Sequence, residues 1–500
     1  MTTTRRLLPL AVLLFAGIGS LYALDAPAAA VYPLVAGLAL VAALAIRSGG
    51  REVARAVEAM PVPDPNVEGA VVRWRHRTFS ALEDANFRAL YIGNMLQFGS
   101  QQMQLVVRGY LVYNLTGSYA ALGTMALANA VPSLIVSPIG GVVADRATKK
   151  DVIQVAQAYN AVNAILLAII AAGWFGLHLQ FWHLFVSAFL QGTVNSVMQP
   201  SRQSMISDLV GRDRLMNAIG INSSGQTMMQ LMGPAMAGFL IAALSPSMVF
   251  GFQGVLYILA VTFTMRLPAK PVFAFVAAAE GEAEGPGHGR SRGGGHGRRR
   301  GAASFGDLVD GLAYVARDPT IRMVLGVNFL IVIVAMPYTQ LLPGFVASVL
   351  HEGPAVQGLL QSVQGIGAVL GAVFVASAPS RGRGKMLIGC GALLGIAIVG
   401  FASSTILWVT LPIMILLGFG QSGRMAIGQV LIQEYSTEEY RGRVVSVWFM
   451  QFGLVQFGTF IVGQLAEAVG PQLAIGGLAA LLVAAMGLCM LFAPKMRDLD

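Results

Sequence analysis

The chain has 500 residues, of which 55% are hydrophobic and only 11% are charged, and its formal net charge is +9 at pH 7. Soluble globular proteins carry about 25% charged residues, so this composition argues against an ordinary soluble enzyme and against a disordered or fibrous protein. The two cysteines, Cys390 and Cys489, lie in apolar segments and indicate no disulfide framework.

Apolar segments long enough to cross a membrane recur along the whole chain. A helix needs about 20 such residues to cross a bilayer, and it satisfies its own backbone hydrogen bonds in lipid. The alternating pattern of a membrane barrel is absent. Fourteen helical spans are predicted, at 7–24, 28–46, 89–113, 120–143, 152–173, 181–200, 217–243, 248–266, 322–346, 355–377, 386–402, 405–430, 444–466 and 472–493.

Lys and Arg residues concentrate in alternate connections between these spans. With a cytoplasmic N-terminus, all but two of the 33 fall on the cytoplasmic side, and both termini lie there. The net positive charge is therefore explained by membrane orientation, and no nucleic-acid partner is predicted. The two exceptions, Arg108 and Arg424, lie inside spans.

The first two spans are predicted to form an N-terminal hairpin at 1–46, followed by a cytoplasmic linker at 47–84. A second interpretation stays open, because Arg5 and Arg6, an apolar stretch and a run of small residues at 26–30 also fit a cleaved signal peptide. The topology of the remaining chain is the same in either case.

A second linker, at 268–320, contains a Gly/Arg-rich tract that cannot pack a core and is predicted to be a flexible cytoplasmic connection. It separates two six-helix bundles, at 85–267 and 321–494, and a cytoplasmic tail follows at 495–500. The bundles resemble each other weakly: Gln203, Ile206 and Asp208 match Gln429, Ile432 and Glu434. Two six-helix repeats around a central substrate site are typical of secondary transporters.

The segment GVVADRATKKD at 141–151 resembles the loop signature of the major facilitator superfamily, G-x-L-A-D-R-x-G-R-K. Segments 111–123, 199–220 and 431–448 are similar to the bacterial subgroup that contains the enterobactin exporter and related drug efflux proteins. The resemblance implies an all-α membrane protein of the major facilitator fold, two pseudo-twofold-related bundles, and export. We expect the gating residues to be Gly141, Asp145, Arg146, Lys149, Lys150, Arg441 and Arg443.

Polar residues recur on one face of otherwise apolar spans. In the span at 89–113 they are three or four residues apart, which places them on one helix face. Either they form hydrogen bonds between helices, or they line a water-filled cavity at the bundle centre, which we favour because the row is long and ends in a charge. The predicted cavity residues are Asn94, Gln97, Gln101, Gln104, Arg108, Gln191, Asn195, Gln226, Gln361, Gln364 and Arg424.

The two intramembrane arginines favour an anionic or electron-rich ligand, since no Asp or Glu lies deep in any span. A central arginine costs at least about 2.5–3.5 kcal/mol to insert and therefore needs a partner or water. Structural pairing with helix-end carbonyls is the alternative. Many relatives place an Asp after the Gly of the first span, where this chain has Ser100 after Gly99, so protons are only one candidate coupling ion.

No motif of an enzyme is supported, and no cofactor or metal is predicted: Walker A, G-x-S-x-G and H-E-x-x-H patterns are absent. We expect a multi-pass transporter of the bacterial cytoplasmic (inner) membrane that exports small amphipathic, neutral-to-anionic compounds such as siderophores, metabolites or drugs by alternating access. Its partners are then the small-molecule substrate and the lipid bilayer. A lysolipid flippase, an importer, and a non-transporting membrane sensor or assembly factor remain alternatives.

Overall fold

The computed structural model describes residues 80–268, 305–378, 381–437 and 440–499. The predicted hairpin at 1–46 and its signal-peptide alternative lie outside the described residues. Secondary structure in the described part is helical, with short 3₁₀ turns at Ser80–Glu83 and Trp174–Gly176.

Six long helices form the first bundle. They are α1 (Ala85–Thr116), α2 (Tyr119–Arg146), α3 (Lys149–Ala171), α4 (Phe181–Leu209), α5 (Arg212–Ala243) and α6 (Pro246–Met265).

The second bundle follows a short helix, α7 (Phe305–Arg317), which occupies the end of the predicted linker. Its members are α8 (Pro319–Ala335), α9 (Tyr338–Ser348), α10 (Pro354–Ser377), α11 (Arg383–Ser403), α12 (Leu407–Tyr435), α13 (Arg441–Phe449), α14 (Gln451–Val469), α15 (Pro471–Phe492) and the terminal turn α16 (Pro494–Arg497). Two predicted spans are each interrupted: α8 and α9 are separated at Met336 and Pro337, and α13 and α14 at Met450.

Eight of these helices or helix pairs are long and apolar enough to cross a membrane. They are α3, α6, α8 with α9, α10, α11, α12, α13 with α14, and α15. The other four long helices, α1, α2, α4 and α5, have 28 to 32 residues each. At 1.5 Å per residue, these four also exceed the roughly 30 Å of a hydrocarbon core.

The first helix of each bundle begins in the same way. The side chain of Asp84 accepts hydrogen bonds from the backbone N–H groups of the second and third residues after it, and Asp318 does the same at α8. Such caps satisfy backbone donors that an α-helix leaves unpaired. Arg88 and Arg322, each four residues after the cap, both donate to a carbonyl oxygen six residues earlier. The twofold repeat thus extends to individual side chains.

A second repeated feature marks one end of both bundles, which we call the basic end. Lys149 at the start of α3 forms an ion pair with Asp208 near the end of α4, with Nζ and Oδ2 2.6 Å apart. Arg383 at the start of α11 forms the corresponding pair with Glu434 near the end of α12. The sequence match between Asp208 and Glu434 therefore reflects an equivalent role in the two bundles.

Helix α7 packs against the start of α13 at the basic end. The rings of Tyr314 and Tyr440 stack with centroids 4.4 Å apart and an interplanar angle of 4°. Arg443 Nη1 lies 3.7 Å from Asp310 Oδ2. This part of the predicted linker, at 305–317, is therefore an ordered helix attached to the second bundle.

The two bundles contact each other at the opposite end, where glycines allow backbone approach. A Cβ atom at Gly358 of α10 would lie 2.7 Å from the carbonyl oxygen of Pro234 in α5. A Cβ at Gly463 of α14 would lie 2.7 Å from the carbonyl oxygen of Tyr119 in α2. Both distances are shorter than packing tolerates, so side chains larger than hydrogen would force the bundles apart here.

The contact between α5 and α10 opens towards the basic end. One face of α5 is exposed at Ile219, Ser223, Thr227 and Gln230, and the same face is buried further along. The buried positions of that face are Pro234, Ala237 and Ile241. A wedge-shaped gap therefore separates the bundles at the basic end and closes near the opposite end.

The facing side of α10 shows the same change in exposure. Gly358 is buried, Ser362 and Gly365 are half-buried, and Val369 and Ala372 are exposed. Since α10 runs from the opposite end towards the basic end, both helices lose contact in the same direction. We call this opening between α5 and α10 the wedge.

Candidate functional site

Arg108 of α1 lies in a buried network with α4. Its Nη2 donates to Gln191 Oε1 at 2.9 Å and to Ser187 Oγ at 3.3 Å. Gln191 in turn donates from Nε2 to Gln104 Oε1 at 2.5 Å. The guanidinium thus donates to neutral oxygens only. No carboxylate contact among the described residues compensates its charge.

A second chain of hydrogen bonds crosses the first bundle closer to the basic end. Thr264 Oγ1 of α6 donates to Gln157 Oε1 at 2.9 Å, and Gln157 Nε2 of α3 donates to Gln97 Oε1 at 2.9 Å. Gln97 Nε2 of α1 then lies 2.9 Å from the Met198 sulfur of α4. Four helices are therefore joined by a line of contacts through a hydroxyl, two amides and a thioether sulfur.

Asn94 and Gln101 form pairs with neighbouring helices. Asn94 Nδ2 donates to Asn222 Oδ1 of α5 at 2.9 Å, and Gln101 Nε2 donates to Asn195 Oδ1 of α4 at 3.3 Å. The polar face predicted for α1 thus exists, and its side chains contact α3, α4 and α5.

Arg424 of α12 is a buried cation of the second bundle. Its Nη1 donates to Asn328 Oδ1 of α8 and to Gln451 Oε1 of α14, the latter at 3.3 Å. One turn earlier, Gln421 Oε1 accepts from Gln364 Nε2 of α10 at 2.8 Å. Both arginines are therefore held by neutral amides from adjacent helices.

The predicted cavity residues divide into two groups by exposure. Those in the first group are buried in contacts within a bundle: Asn94, Gln97, Gln104, Arg108, Gln191 and Arg424. Those in the second group remain partly exposed: Gln101, Asn195, Gln226, Gln361 and Gln364. The first group serves hydrogen bonding between helices, whereas the second group keeps part of its surface exposed, although Gln101, Asn195 and Gln364 are also hydrogen-bonded.

Arg202 is a buried charge that the sequence did not reveal. The predicted span ends at residue 200 and leaves Arg202 in the cytoplasmic connection after it, but α4 continues through Pro200 to Leu209. Arg202 is 1% exposed, its guanidinium lies 4.6 Å from the centroid of the Phe98 ring, and Nη2 lies 3.4 Å from the Met198 sulfur. The signal that could have found it is the apolar periodicity, which continues past the proline through Met205, Ile206 and Leu209.

The predicted gating residues lie at the basic end. Gly141, Asp145 and Arg146 belong to the last turns of α2. Only two residues separate the end of α2 from the start of α3. Lys150 Nζ donates to the carbonyl oxygens of Met265 and Leu267 at 2.9 and 2.6 Å, at the end of α6. A lysine beside free carbonyl groups at a helix C-terminus is favourable.

The other predicted gating residues, Arg441 and Arg443, begin α13. Arg441 is exposed, whereas Arg443 lies beside helix α7, with its guanidinium 5.1 Å from the centroid of the Tyr440 ring. In the described residues, the charged contacts of this end join helices of the same bundle and do not bridge the wedge.

Comparison with known families shows to which protein family the chain belongs. A family profile described as "Transmembrane secretion effector", of the major facilitator type, matches residues 76–274 and 302–500. The chain belongs to this family of the major facilitator superfamily. The prediction that it is not an enzyme is thereby confirmed, and it is a multi-pass membrane transporter.

The names of two relatives of this transporter mention different substrates. The staphyloferrin A transporter of Staphylococcus aureus is 21% identical over 383 residues, which cover 76% of this chain and 88% of the relative. The multidrug efflux pump Tap of Mycolicibacterium fortuitum is 23% identical over 402 residues, covering 79% and 92%.

Solved structures share the fold of the transporter. A bacterial homologue of the human lysosomal transporter Spinster, in an inward-facing and unoccupied conformation, superposes with a TM-score of 0.60 at 15% identity, covering 83% of this chain and 95% of that one. The nucleoside transporter NupG gives 0.58 at 16% identity, covering 81% and 98%. The predicted major facilitator fold with two related bundles is confirmed.

Proposed function

We propose that this transporter exports small amphipathic, neutral-to-anionic compounds across the bacterial cytoplasmic membrane by alternating access. The observation that carries the proposal is the wedge, which is open at the basic end and closed at the opposite end. Lys and Arg residues collect on the cytoplasmic side of membrane proteins, so the basic end is assigned to the cytoplasm. The structure then corresponds to the state that receives a compound from inside the cell.

The lining of the wedge supports a substrate of this class. Its exposed or partly exposed polar side chains include amides, among them Gln230, Gln361 and Gln364, beside exposed apolar residues such as Ile219 and Val369. Amides offer both donors and acceptors, and the apolar surface accepts a hydrophobic part of the solute. The acidic residues of the described helices lie near helix ends, which disfavours a cationic substrate.

The buried arginines supply the electrostatic part of the proposal. Arg108 belongs to the first bundle and Arg424 to the second, and each donates a hydrogen bond to a side-chain amide oxygen. Buried positive charges without a carboxylate partner favour a solute with negative or electron-rich groups. Export is supported by the description of the family and by the efflux pump among the relatives.

An accumulation screen in an efflux-deficient bacterial host tests the proposal. Cells expressing the transporter should retain less of one or more anionic or neutral amphipathic compounds, and Arg108→Gln and Arg424→Gln should restore retention at equal membrane abundance. Leu481→Ala, which shortens a side chain that is 66% exposed on α15, away from the wedge, serves as the control and should export normally.

The alternatives predict other outcomes of the same screen. Higher retention would indicate an importer, movement of lysolipids alone would indicate a flippase, and no movement of any compound would indicate a sensor or assembly factor. Collapse of the pH gradient with the voltage maintained decides whether protons drive transport, and continued export under that condition would exclude electroneutral proton exchange.

A further inference from the structure

The second bundle contains a cluster of three buried polar residues from three helices, which we call the Arg424 cluster: Asn328, Arg424 and Gln451. Arg424 donates through one nitrogen, Nη1, to the carbonyl oxygens of both carboxamides. The three residues are 0%, 3% and 2% exposed, so their side chains have almost no contact with solvent. A positive charge is therefore enclosed by neutral groups.

The cluster has unused hydrogen-bond donors and only few acceptors. A guanidinium donates and never accepts, so both carboxamides turn their oxygens towards it, and their NH₂ groups point elsewhere. Arg424 Nε, Asn328 Nδ2 and Gln451 Nε2 are buried without an acceptor among the described residues. Buried polar groups are nearly always paired, so three donors beside one positive charge indicate a missing acceptor.

The first bundle shows that the fold does not need this arginine. Asn94 lies ten residues after the cap Asp84, as Asn328 lies ten after Asp318, and it donates directly to Asn222 at 2.9 Å. Asn222 and Gln451 each lie eight residues after an arginine at the start of their segments, Arg214 and Arg443.

Met198 stands at the position of Arg424 in the first bundle. Each lies ten residues before the acid that pairs at the basic end, Asp208 or Glu434. Three equivalent helices are thus held together by a direct amide pair and a methionine in one bundle, and by an inserted arginine in the other. In the first bundle Arg202 lies one turn beyond this position, with Nη2 3.4 Å from the Met198 sulfur, whereas in the second bundle Arg424 occupies the position itself and donates to both carboxamides.

We propose that the Arg424 cluster binds a compact monovalent anion, either a carboxylate group of the transported compound or free chloride. Such an anion accepts a hydrogen bond from Arg424 Nε and compensates its charge, and a carboxamide that turns its NH₂ group towards the anion adds a second donor. It reaches the cluster from the wedge past Gln421, which is half-buried one turn away and hydrogen-bonded to Gln364. The inference rests on the proposed transport function only for the source of a carboxylate.

Thermal unfolding of the purified full-length transporter in detergent tests this site. Acetate or chloride replaces isethionate at constant ionic strength, and one or both should raise Tm by roughly 2–4 °C along a saturable curve. Arg424→Met combined with Gln451→Asn copies the arrangement of the first bundle and should remove the response. Arg322→Gln, which removes an exposed positive charge from α8, is the control and should keep it.

The outcomes separate the two sources of the anion. A response to acetate alone assigns the site to a substrate carboxylate, a response to chloride alone assigns it to the free ion, and a response to both assigns it to compact monoanions in general. A wild-type protein without a response, or a double variant with an unchanged one, overturns the proposal.

A second variant keeps the test decisive if the double variant does not fold. Arg424→Lys keeps the charge but loses the planar donor geometry, so the half-saturating anion concentration should rise at least about fivefold. An unchanged concentration would overturn the site. Because this measurement needs no transport, an anion response in a protein that exports nothing would refute the proposed function and leave the site standing.

Discussion

The carboxylate of Glu467 accepts a hydrogen bond of 2.7 Å from the backbone N–H of Tyr119, across the contact between the two bundles. The same oxygen accepts from Ser118 Oγ at 3.0 Å and from the backbone of Ala120 at 3.2 Å. Glu467 lies near the end of α14, and Tyr119 begins α2, so an acid of one bundle caps a helix of the other. This contact links the two bundles at the opposite end.

Replacing Glu467 should shift the transporter towards its outward-open state. Loss of a helix cap costs about 1 kcal/mol, so Glu467→Ala should increase the population of that state about fivefold. A cysteine introduced at Thr459, which is buried beside α2, reports the opening when a membrane-impermeant maleimide is added from the side of the opposite end, which is the outer side in the proposed orientation. The background carries replacements of Cys390 and Cys489.

The control for this experiment is Glu352→Ala. Glu352 is an acid on the same end whose carboxyl has its pKa raised by partial burial, and no hydrogen bond from its side chain to the first bundle is found among the described residues. Its replacement should leave the labelling of the cysteine at 459 unchanged. Equal labelling rates in the two variants would show that the Glu467 contact does not hold the closed end together.

The close approach of Gly358 to α5 should make this position intolerant of any side chain. A Cβ there would lie 2.7 Å from the Pro234 carbonyl oxygen and 3.0 Å from Gly238 Cα, and neither backbone atom can move alone. Gly358→Ala should therefore block closure and reduce transport at least about tenfold, since overpacking of about 1.4 kcal/mol already suffices. Gly389→Ala, which enters open space, should transport normally. Equal transport by both variants would contradict the proposed closure.

Much of the architecture could be predicted because the bilayer imposes length and charge rules on the sequence. The twelve spans of the two bundles and the matched acids Asp208 and Glu434 follow from apolar runs and local similarity. The helix 305–317 was not anticipated, because its attachment depends on stacking of Tyr314 on Tyr440, more than 100 residues away in sequence. Long-range contacts of this kind have no local signature.

The candidate site was predicted less completely than the fold. Helical spacing correctly indicated that the polar residues of α1 share a face, but it could not tell Gln97, which is buried against α3, from Gln101, which is half-exposed. Arg202 lies beyond the predicted span at 181–200, because α4 extends nine residues further, to Leu209. Which face meets the wedge depends on how the bundles tilt, and the sequence of a single helix does not contain that information.

The paired ions of the basic end should contribute little to stability. Lys149 and Asp208 have side chains 31% and 21% exposed, and partly exposed ion pairs are worth about 0–1 kcal/mol. Lys149→Gln should therefore lower Tm by only a few degrees, and the exchange Lys149→Asp with Asp208→Lys should recover most of the loss. Thermal unfolding of the single and double variants gives the coupling directly. A collapse of the fold in Lys149→Gln would show that the pair carries more than its exposure predicts.

A glutamine buried between helices and a glutamine beside the wedge should respond differently to replacement by leucine. Gln157 is 1% exposed and bonds Gln97 and Thr264 of two other helices. Thr264 Oγ1 keeps its bond to the Ala260 carbonyl oxygen, so Gln157→Leu leaves the Gln97 side-chain oxygen unpaired and should cost about 1–3 kcal/mol of stability. Gln361 is half-buried on α10 beside the wedge, and Gln361→Leu should leave Tm unchanged while altering which compounds are exported. Measuring Tm and the export profile of both variants separates hydrogen bonding between helices from contact with substrate. If Gln361→Leu lowered Tm as much as Gln157→Leu and left the profile intact, the partly exposed glutamines would belong to the helix contacts and not to the transport path.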